Sequence, residues 1–510
     1  MTRSGTAAPA RPAAPVSPRV SIWVGAVALA QLLLLVATST RYGYHRDELY
    51  FIAAGSHPAF GYPDQPPLVP LLCWAMNHLA SGSAQASALL VLRLPSALAA
   101  AASTLVAALV AREVGGGARA QVIAAACTAT SGFALATGHF VTTTTFDLLS
   151  TSVLCWLVIR AITRRSGPSL LAAGVVTGIG FESKPQVALV ATVILVTLAI
   201  AGPRGPLRSP WLAGGLVSAL VLAAPYVIWQ SLHGWPQLTV AGNIGGSAEG
   251  GRAGFVPFQL VLVSPVLVPV WIAGLVVPFR RASLRAVRFV PLTYALLAVA
   301  YLLGNGKAYY LASLYPVLLG IGAIPVADWT VRRNRALRTG LLGAAVIVSA
   351  VVSSLIALPL LPATSLQGSV VMAVNPDQGE TVGWPRFVDT VAAAWSAVPA
   401  NERAHTVIFT RNYGEAGAVD LLGRAHGLPR AYSGHNGFSE WGQPGADATR
   451  ALLIGYDGPG DAAPYFTGCT HLVTVDDRVG LDNDEQGLPL LLCRPAGSWS
   501  ALWPKLRHYD

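Results

Sequence analysis

The chain has 510 residues, of which 53% are hydrophobic and only 11% are Asp, Glu, Lys or Arg. Soluble proteins carry about 25% charged residues, so the composition predicts an integral membrane protein and excludes an ordinary soluble enzyme. The net charge is +10, and the five cysteines are too few for a disulfide-based scaffold.

Apolar segments follow one another along most of the chain. An Ala-, Pro- and Arg-rich stretch over residues 1–20 is predicted to be a disordered cytoplasmic tail. It precedes eleven apolar segments, each near the ~20 residues that cross a bilayer. They lie at 21–38 and at about 93–111, 120–138, 148–163, 169–183, 185–201, 210–229, 257–279, 289–303, 309–327 and 339–361. A shorter apolar stretch, 66–79, is interrupted by Pro70 and is predicted to lie on the membrane surface.

The arginines predict the orientation of these segments. With the N-terminus inside, the inner loops hold eighteen arginines, opposed only by Glu113 and Asp328. This is the positive-inside pattern, and it accounts for the basic excess without a nucleic-acid-binding surface. The prediction is a multi-pass protein of the cell membrane, with residues 362–510 outside the cytoplasm because the number of spans is odd.

Residues 362–510 have the pattern of a small α/β domain. The stretches HTVIFT (405–410), ALLIGY (451–456) and HLVTVD (471–476) predict strands. The stretch EAGAVDLLGRAHG (415–427) predicts a helix that ends at a glycine. Cys469 and Cys493 also lie here, and an outside location leaves both a disulfide and two reduced thiols open.

Four ionisable residues, from His45 to Glu48, directly follow the first span. Neighbouring residues on a helix point about 100° apart, so Asp47 and Glu48 can both reach one cavity. One carboxylate is then a candidate general base, and the other a ligand for substrate or a cation. The alternative is a solvated loop start in which Arg46 is a local ion partner.

Two lysines and one further aspartate stand out in the outer loops. The chain has only three lysines against thirty-one arginines, yet Lys184 and Lys307 both lie where the positive-inside rule disfavours cations. A compact ammonium group suits a phosphate oxygen, which favours phosphate binding over the alternative of a snorkelling side chain. Asp147 follows Thr144 in a helix-capping pattern, so function and capping both stay open.

A divalent metal ion also stays open. His45, His57 and His139 could join carboxylates around a metal, although no spacing demands it and hydrogen bonding is the common role of such histidines. No metal ligands are therefore assigned. The chain has no Walker loop or dinucleotide-binding fingerprint, so no nucleotide cofactor is predicted.

The stretch HRDELYFIAAGSHPAFGYPDQPPLVPLL (45–72) resembles the first outer loop of the family 39 glycosyltransferases. These membrane enzymes have the GT-C fold and include protein O-mannosyltransferases and the aminoarabinose transferase that acts on lipid A. Weaker similarities follow in order, at RLPSALAA (93–100), TTFDLLS (144–150), GFESKPQVAL (180–189) and GKAYYLASLYPVLLGIGA (306–323). The resemblance covers about residues 20–330 and implies a GT-C helical bundle with catalytic function over 21–361.

The resemblance implies that a sugar is transferred, with inversion, from a polyprenyl-phosphate carrier to a glycan, lipid or protein outside the cytoplasm. By position, Asp47 would be the catalytic carboxylate, and Glu48 and Asp147 would orient a substrate or hold a cation. Lys184 and Lys307 would neutralise the lipid phosphate.

The remaining substrate-binding candidates lie in the same outer loops. Tyr309 and Tyr310 would line the lipid side of the cavity, and they are otherwise ordinary interfacial tyrosines. His57 and Gln65 belong to the first loop; many relatives have Lys where this chain has Gln65. Two other functions are weighed against the transferase: a transporter or flippase of lipid-linked sugars, and a non-catalytic envelope-assembly protein. The chain shows no mid-span charges and no repeated halves with broken helices, which disfavours the transporter.

Overall fold

The computed structural model describes residues 19–246 and 251–510. The predicted disordered tail, apart from its last two positions, lies outside the described residues. Sixteen α-helices build the N-terminal part of the described chain. They are α1 (Ile22–Thr38), α2 (Arg46–Gly55), α3 (Leu68–Leu79), α4 (Gln85–Glu113), α5 (Ala118–Ala129), α6 (Gly132–His139), α7 (Thr143–Thr163), α8 (Gly167–Phe181), α9 (Gln186–Ala201), α10 (Pro210–Leu232), α11 (Pro236–Gly246), α12 (Gly251–Val263), α13 (Val268–Arg280), α14 (Phe289–Leu303), α15 (Tyr315–Thr330) and α16 (Arg335–Ala357).

The apolar helices confirm a multi-pass membrane protein. Five helical segments of the described chain are long and apolar enough to cross a bilayer: α4, α7, α10, α16 and the segment Ala308–Thr330, which ends in α15. Two bent pairs, α5 with α6 and α12 with α13, each pass the same test as one broken span. The shorter helices α1, α8, α9 and α14 coincide with the other predicted spans, while α3 coincides with the predicted surface helix. The exact number of spans stays a prediction.

The two bent pairs break where the backbone has a local reason to leave the helix. Between α5 and α6 the chain bends by 57°, and the Ser131 hydroxyl accepts the amide of Ala134 to begin a new helix. Between α12 and α13 it bends by 82°, at Ser264 with φ of 85° followed by Pro265. Proline has no amide hydrogen to continue the preceding helix.

The C-terminal part is a small α/β domain. Its elements are α17 (Val370–Val374), α18 (Trp384–Ala397), α19 (Ala400–Arg403), β1 (Thr406–Thr410), α20 (Tyr413–Leu422), β2 (Ala431–Ser433), β3 (Arg450–Ile454), α21 (Pro459–Ala462), β4 (Phe466–Thr474), β5 (Pro489–Pro495) and α22 (Trp499–Leu506). The strands form one sheet in the order β2-β1-β3-β5-β4, parallel among β2, β1 and β3 and antiparallel elsewhere.

The three predicted strands and the predicted helix of this domain are present. The helix ends at Leu422, earlier than expected, because a 3-10 turn takes over from Gly423 to His426. Of the two alternatives for the cysteines, the structure has the disulfide: Cys469 on β4 is bonded to Cys493 on β5.

The α/β domain packs directly on α2, the helix that carries Asp47. Two glycines of α20 allow this close approach. A Cβ on Gly417 would lie 2.9 Å from the Leu49 backbone, and one on Gly414 would lie 2.7 Å from the Arg46 Cβ. Real Cβ atoms do not come so close, so any larger residue would push the two helices apart. The domain is thereby held against the start of α2.

Candidate active site

The start of α2 is fixed by a capping box. His45 accepts the Asp47 amide on its Nδ1 atom at 3.2 Å, and Glu48 accepts the His45 amide at 2.9 Å. Both interactions satisfy helix-start amides that would otherwise lack a partner. As a result, Asp47 and Glu48 leave the helix in fixed and different directions.

Glu48 points into the protein. Its side chain is 0% exposed and pairs with the buried Arg93 through two bonds, Nε to Oε1 at 2.9 Å and Nη2 to Oε2 at 2.7 Å. The Val141 amide donates to Oε1 at 2.9 Å. Arg93 in turn donates to the carbonyls of Ser39 and Gly43. These contacts favour a structural role for Glu48, which ties α2 to α4.

Asp47 points the other way, into a cavity of about 480 Å³. Its side chain is 31% exposed, and its Oδ1 atom accepts a hydrogen bond from the Tyr413 hydroxyl at 2.9 Å. Tyr413 begins α20, so the C-terminal domain contributes directly to the environment of this carboxylate. The amino-acid sequence did not predict this contact between Tyr413 and Asp47, which are 366 residues apart.

Lys184 and Lys307, the two lysines of the predicted outer loops, line the same cavity as Asp47. The Lys184 ammonium donates to the Thr144 hydroxyl at 3.0 Å and lies 5.3 Å and 4.8 Å from the ring centres of Tyr309 and Tyr310. Such cation–π contacts hold an ammonium group without neutralising it. The cavity therefore combines carboxylate, ammonium and aromatic side chains.

Comparisons with known proteins give one matching family model and several similar solved structures. The family model described as dolichyl-phosphate-mannose-protein mannosyltransferase matches residues 64–229, which include Asp147 and Lys184. No curated protein sequence matched the chain. Among solved structures, ArnT from Cupriavidus metallidurans in the apo state is similar with a TM-score of 0.60 and 14% identity, covering 92% of this chain and 97% of that one. The same protein bound to undecaprenyl phosphate gives a TM-score of 0.58 at 14% identity, covering 93% and 98%.

The chain is a membrane protein with the GT-C glycosyltransferase fold. The resemblance to GT-C glycosyltransferases expected from the sequence is thereby confirmed, as is the combination of a helical membrane part with a small C-terminal sheet domain.

Asp147 lies one layer behind the cavity of this GT-C protein. It is 1% exposed, and its carboxylate accepts from the Thr151 hydroxyl at 3.3 Å and from the Gln186 amide at 3.4 Å. The capping alternative for Asp147 is wrong, because Thr142 caps α7 and Thr144 is already inside the helix. Gln186 also lines the cavity, so it connects Asp147 to the cavity wall.

His57 and Gln65 line two different cavities. His57 stacks on Trp441 with ring centres 4.3 Å apart and lines a separate cavity of about 300 Å³ against the C-terminal domain. Gln65 lines the Asp47 cavity, is 4% exposed, and its side-chain amide has no hydrogen-bond partner among the described residues. Their roles in substrate binding stay predictions.

Asp64 is a cavity residue that the sequence patterns did not single out. Its carboxylate accepts a hydrogen bond from the Tyr50 hydroxyl at 2.5 Å, and it lines the same cavity as Asp47. Burial raises the pKa of Asp64 to about 7, and the nearby Asp47 charge acts in the same direction. The sequence feature that could have identified Asp64 is its position directly before Gln65 in the stretch 45–72.

His45, His57 and His139 do not form a group close enough to share one ion in the described chain. His45 stacks on Phe140, whereas His57 stacks on Trp441. Across residues 19–246 and 251–510, the one group of three metal-ligating side chains with atoms close enough to share an ion is His435, His508 and Asp510. That group lies in the C-terminal domain.

The raised pKa of Asp64 predicts a pH dependence of stability. A carboxyl group with a higher pKa in the folded state binds its proton more tightly there, so stability falls as pH rises from near 4 towards about 7. Asp64→Asn is expected to make this decline shallower. The measurement is the Tm of detergent-solubilised wild-type and variant protein between about pH 5 and pH 8.

A remaining decline in the variant is expected, since burial also raises the pKa of Glu380 and of Glu415 to about 7. Asp328→Asn, an exposed carboxylate of α15 that pairs with Arg281, serves as the control and should reproduce the wild-type slope. Parallel curves for wild type and Asp64→Asn would show that Asp64 does not titrate in this way.

Proposed function

We propose that the protein transfers a sugar from a polyprenyl-phosphate donor to an extracytoplasmic acceptor, which is a cell-envelope glycan, lipid or protein, with inversion at the anomeric carbon. The observation that carries this proposal is the shared cavity of Asp47, Lys184 and Lys307. It combines a carboxylate that can accept a proton with cations that can hold a phosphate. The solved relative bound to undecaprenyl phosphate supports the donor class.

The reaction follows from these charges. A hydroxyl group of the acceptor gives its proton to the Asp47 carboxylate while its oxygen attacks the anomeric carbon. The bond from that carbon to the phosphate oxygen breaks, and the electron pair leaves with the polyprenyl phosphate. Lys184 and Lys307 oppose the negative charge that develops there, which lowers the barrier. Tyr413 positions Asp47 through its hydrogen bond.

The apolar wall of the cavity suits the lipid part of the donor. Leu189 and Val240 line the cavity together with the rings of Tyr309 and Tyr310. A phosphate held at the lysines would leave its prenyl chain beside these groups, which is the polar and apolar division that a lipid phosphate requires.

The proposal is tested with the full-length protein in lipid nanodiscs. Synthetic polyprenyl-phosphate sugars are added together with envelope extract from a deletion strain, and released polyprenyl phosphate and glycosylated product are measured by mass spectrometry. A transferase releases the carrier and forms a product that the complemented strain also contains. An inert protein and an unchanged envelope in the deletion strain would contradict transfer. Movement of intact donor across a proteoliposome membrane would indicate the flippase instead.

The lysines predict a specific loss of donor binding. Lys184→Gln removes a positive charge from the cavity, and a hydrogen bond to a charged group contributes about 1.5–3 kcal/mol. We therefore expect the affinity for undecaprenyl phosphate to fall roughly 10- to 100-fold, measured by lipid titration of the solubilised protein.

Lys505→Gln is the matched control, because Lys505 is the remaining lysine of the chain and is exposed on α22. It should bind the lipid like the wild type. Equal affinities for the Lys184 and Lys505 variants would mean that Lys184 does not contact the phosphate.

A further inference from the structure

The last three residues of the sequence lie beside the loop that follows β2. His508 pairs with His435 in a parallel bridge: the His508 amide donates to the Gly434 carbonyl, and the Asn436 amide donates to the His508 carbonyl, each at 3.0 Å. The Asn436 side chain also bonds to both backbone polar groups of Asp510, at 3.1 Å and 3.2 Å. The two segments are therefore held in register.

This register brings three metal-ligating side chains together. In an extended segment, residues two apart point to the same side, so His508 and Asp510 share a face. His435 stands opposite His508 in the bridge, and the two rings stack with centres 4.4 Å apart. One ligating atom from each of the three residues lies within 4.8 Å of the others.

These separations fit a divalent ion after small side-chain movements. Two ligand atoms bonded to zinc at ~2.0–2.1 Å can be no more than about 4.2 Å apart. His435 Nε2 and Asp510 Oδ1 are already 2.5 Å apart and would open slightly to admit the ion. Two imidazoles with one carboxylate form a ligand set that suits Zn²⁺.

The protein also prepares the second histidine for this role. His508 Nδ1 lies 3.0 Å from the Leu506 carbonyl, which can only accept, so Nδ1 carries the proton and Nε2 keeps its lone pair. A backbone carbonyl bound to the other ring nitrogen is the usual support of a metal-binding histidine. His435 is buried, and its Nδ1 atom has no hydrogen-bond partner within the described residues. Hydrogen bonds therefore hold only one of its two ring nitrogens, and the ring can adjust to a bound ion.

We propose that His435, His508 and Asp510 bind a zinc-class divalent cation that clamps the C-terminal segment onto the loop after β2. Asp510 has a side chain that is 60% exposed, so water completes the coordination. The proposed site also contacts the active site through Tyr413. The Tyr413 ring packs on His435 with ring centres 4.6 Å apart, and the Tyr413 hydroxyl donates a hydrogen bond to Asp47. The Tyr509 carbonyl also accepts a bond from Asn243 of α11 at 2.5 Å, which links the clamped segment to a helix lining the cavity.

The test measures zinc on the full chain, purified in detergent with an N-terminal tag that contains no histidine. The protein is stripped with a chelator, incubated with zinc chloride and desalted, and bound zinc is determined by mass spectrometry of the metal. We expect one zinc ion per wild-type chain and an upward shift of Tm on zinc addition. His508→Gln and Asp510→Asn should lose both the bound zinc and the shift.

His471→Gln is the control, since His471 is an exposed histidine on β4 whose side chain bonds only to Thr474 in the described chain. It should bind zinc like the wild type. Wild-type protein that retains no more zinc than the two site variants, or that shows no zinc-dependent Tm shift, would overturn the proposal. The wild-type comparison with and without zinc decides this even if a variant folds poorly. Zinc uptake requires no sugar transfer, so the result is independent of the proposed transferase function.

Discussion

Asp47→Asn is expected to slow sugar transfer strongly while leaving the protein folded and able to bind the donor lipid. Asparagine has nearly the same shape as aspartate and can still accept the Tyr413 hydrogen bond through its amide oxygen. It cannot accept the proton of an attacking hydroxyl. Loss of general-base catalysis typically costs 10²–10⁴-fold in rate, so we expect a decrease of about that size.

The measurement is single-turnover release of polyprenyl phosphate, with donor affinity determined separately by lipid titration. Asp389→Asn, an exposed substitution on α18, should leave both quantities unchanged. Tyr413→Phe should give an intermediate loss, because it removes the hydrogen bond that positions Asp47 but leaves the carboxylate. Retention of more than about a tenth of the wild-type rate by Asp47→Asn would exclude it as the base.

Most of the membrane fold could be predicted from the sequence, because apolar segments in a bilayer must satisfy their backbone groups as helices. All eleven predicted spans coincide with helical segments of the described chain. The breaks at Ser131 and Ser264 could not be predicted in the same way. They depend on a local cap and a single positive φ, which leave the surrounding hydropathy unchanged.

The candidate site, like the fold, could be predicted from the sequence only in part. Asp47, Lys184 and Lys307 could be identified because charge is scarce in this chain and these three lie in predicted outer loops. Tyr413 could not, because it reaches Asp47 from 366 residues away and no periodic pattern connects the two. The direction of Glu48 was equally hidden: adjacent carboxylates in a sequence do not show which one has a buried arginine to pair with.

Glu48→Gln is expected to destabilise the protein by about 3–5 kcal/mol, the usual cost of leaving one partner of a buried ion pair without the other. Arg93 is 1% exposed and would keep its positive charge in a site with only two carbonyls to oppose it. The substituted amide side chain would also have one acceptor oxygen for the two backbone amides that Glu48 now satisfies, those of His45 and Val141. The neighbouring Asp47→Asn should show no comparable loss, so adjacent isosteric substitutions separate stability from chemistry.

The free energy of unfolding is compared through Tm and through the monodisperse fraction after heating in detergent. Glu440→Gln is the surface control, since it breaks the exposed pair with Arg507, and such pairs contribute about 0–1 kcal/mol. The double variant Glu48→Gln with Arg93→Met removes the stranded charge and should lose less stability than the two single variants summed. Strict additivity, or a Glu48→Gln protein as stable as the surface control, would mean that the Glu48–Arg93 pair does not hold α2 in place. A loss smaller than that sum would show that the ion pair stabilises the first turn of α2, the turn that also carries Asp47.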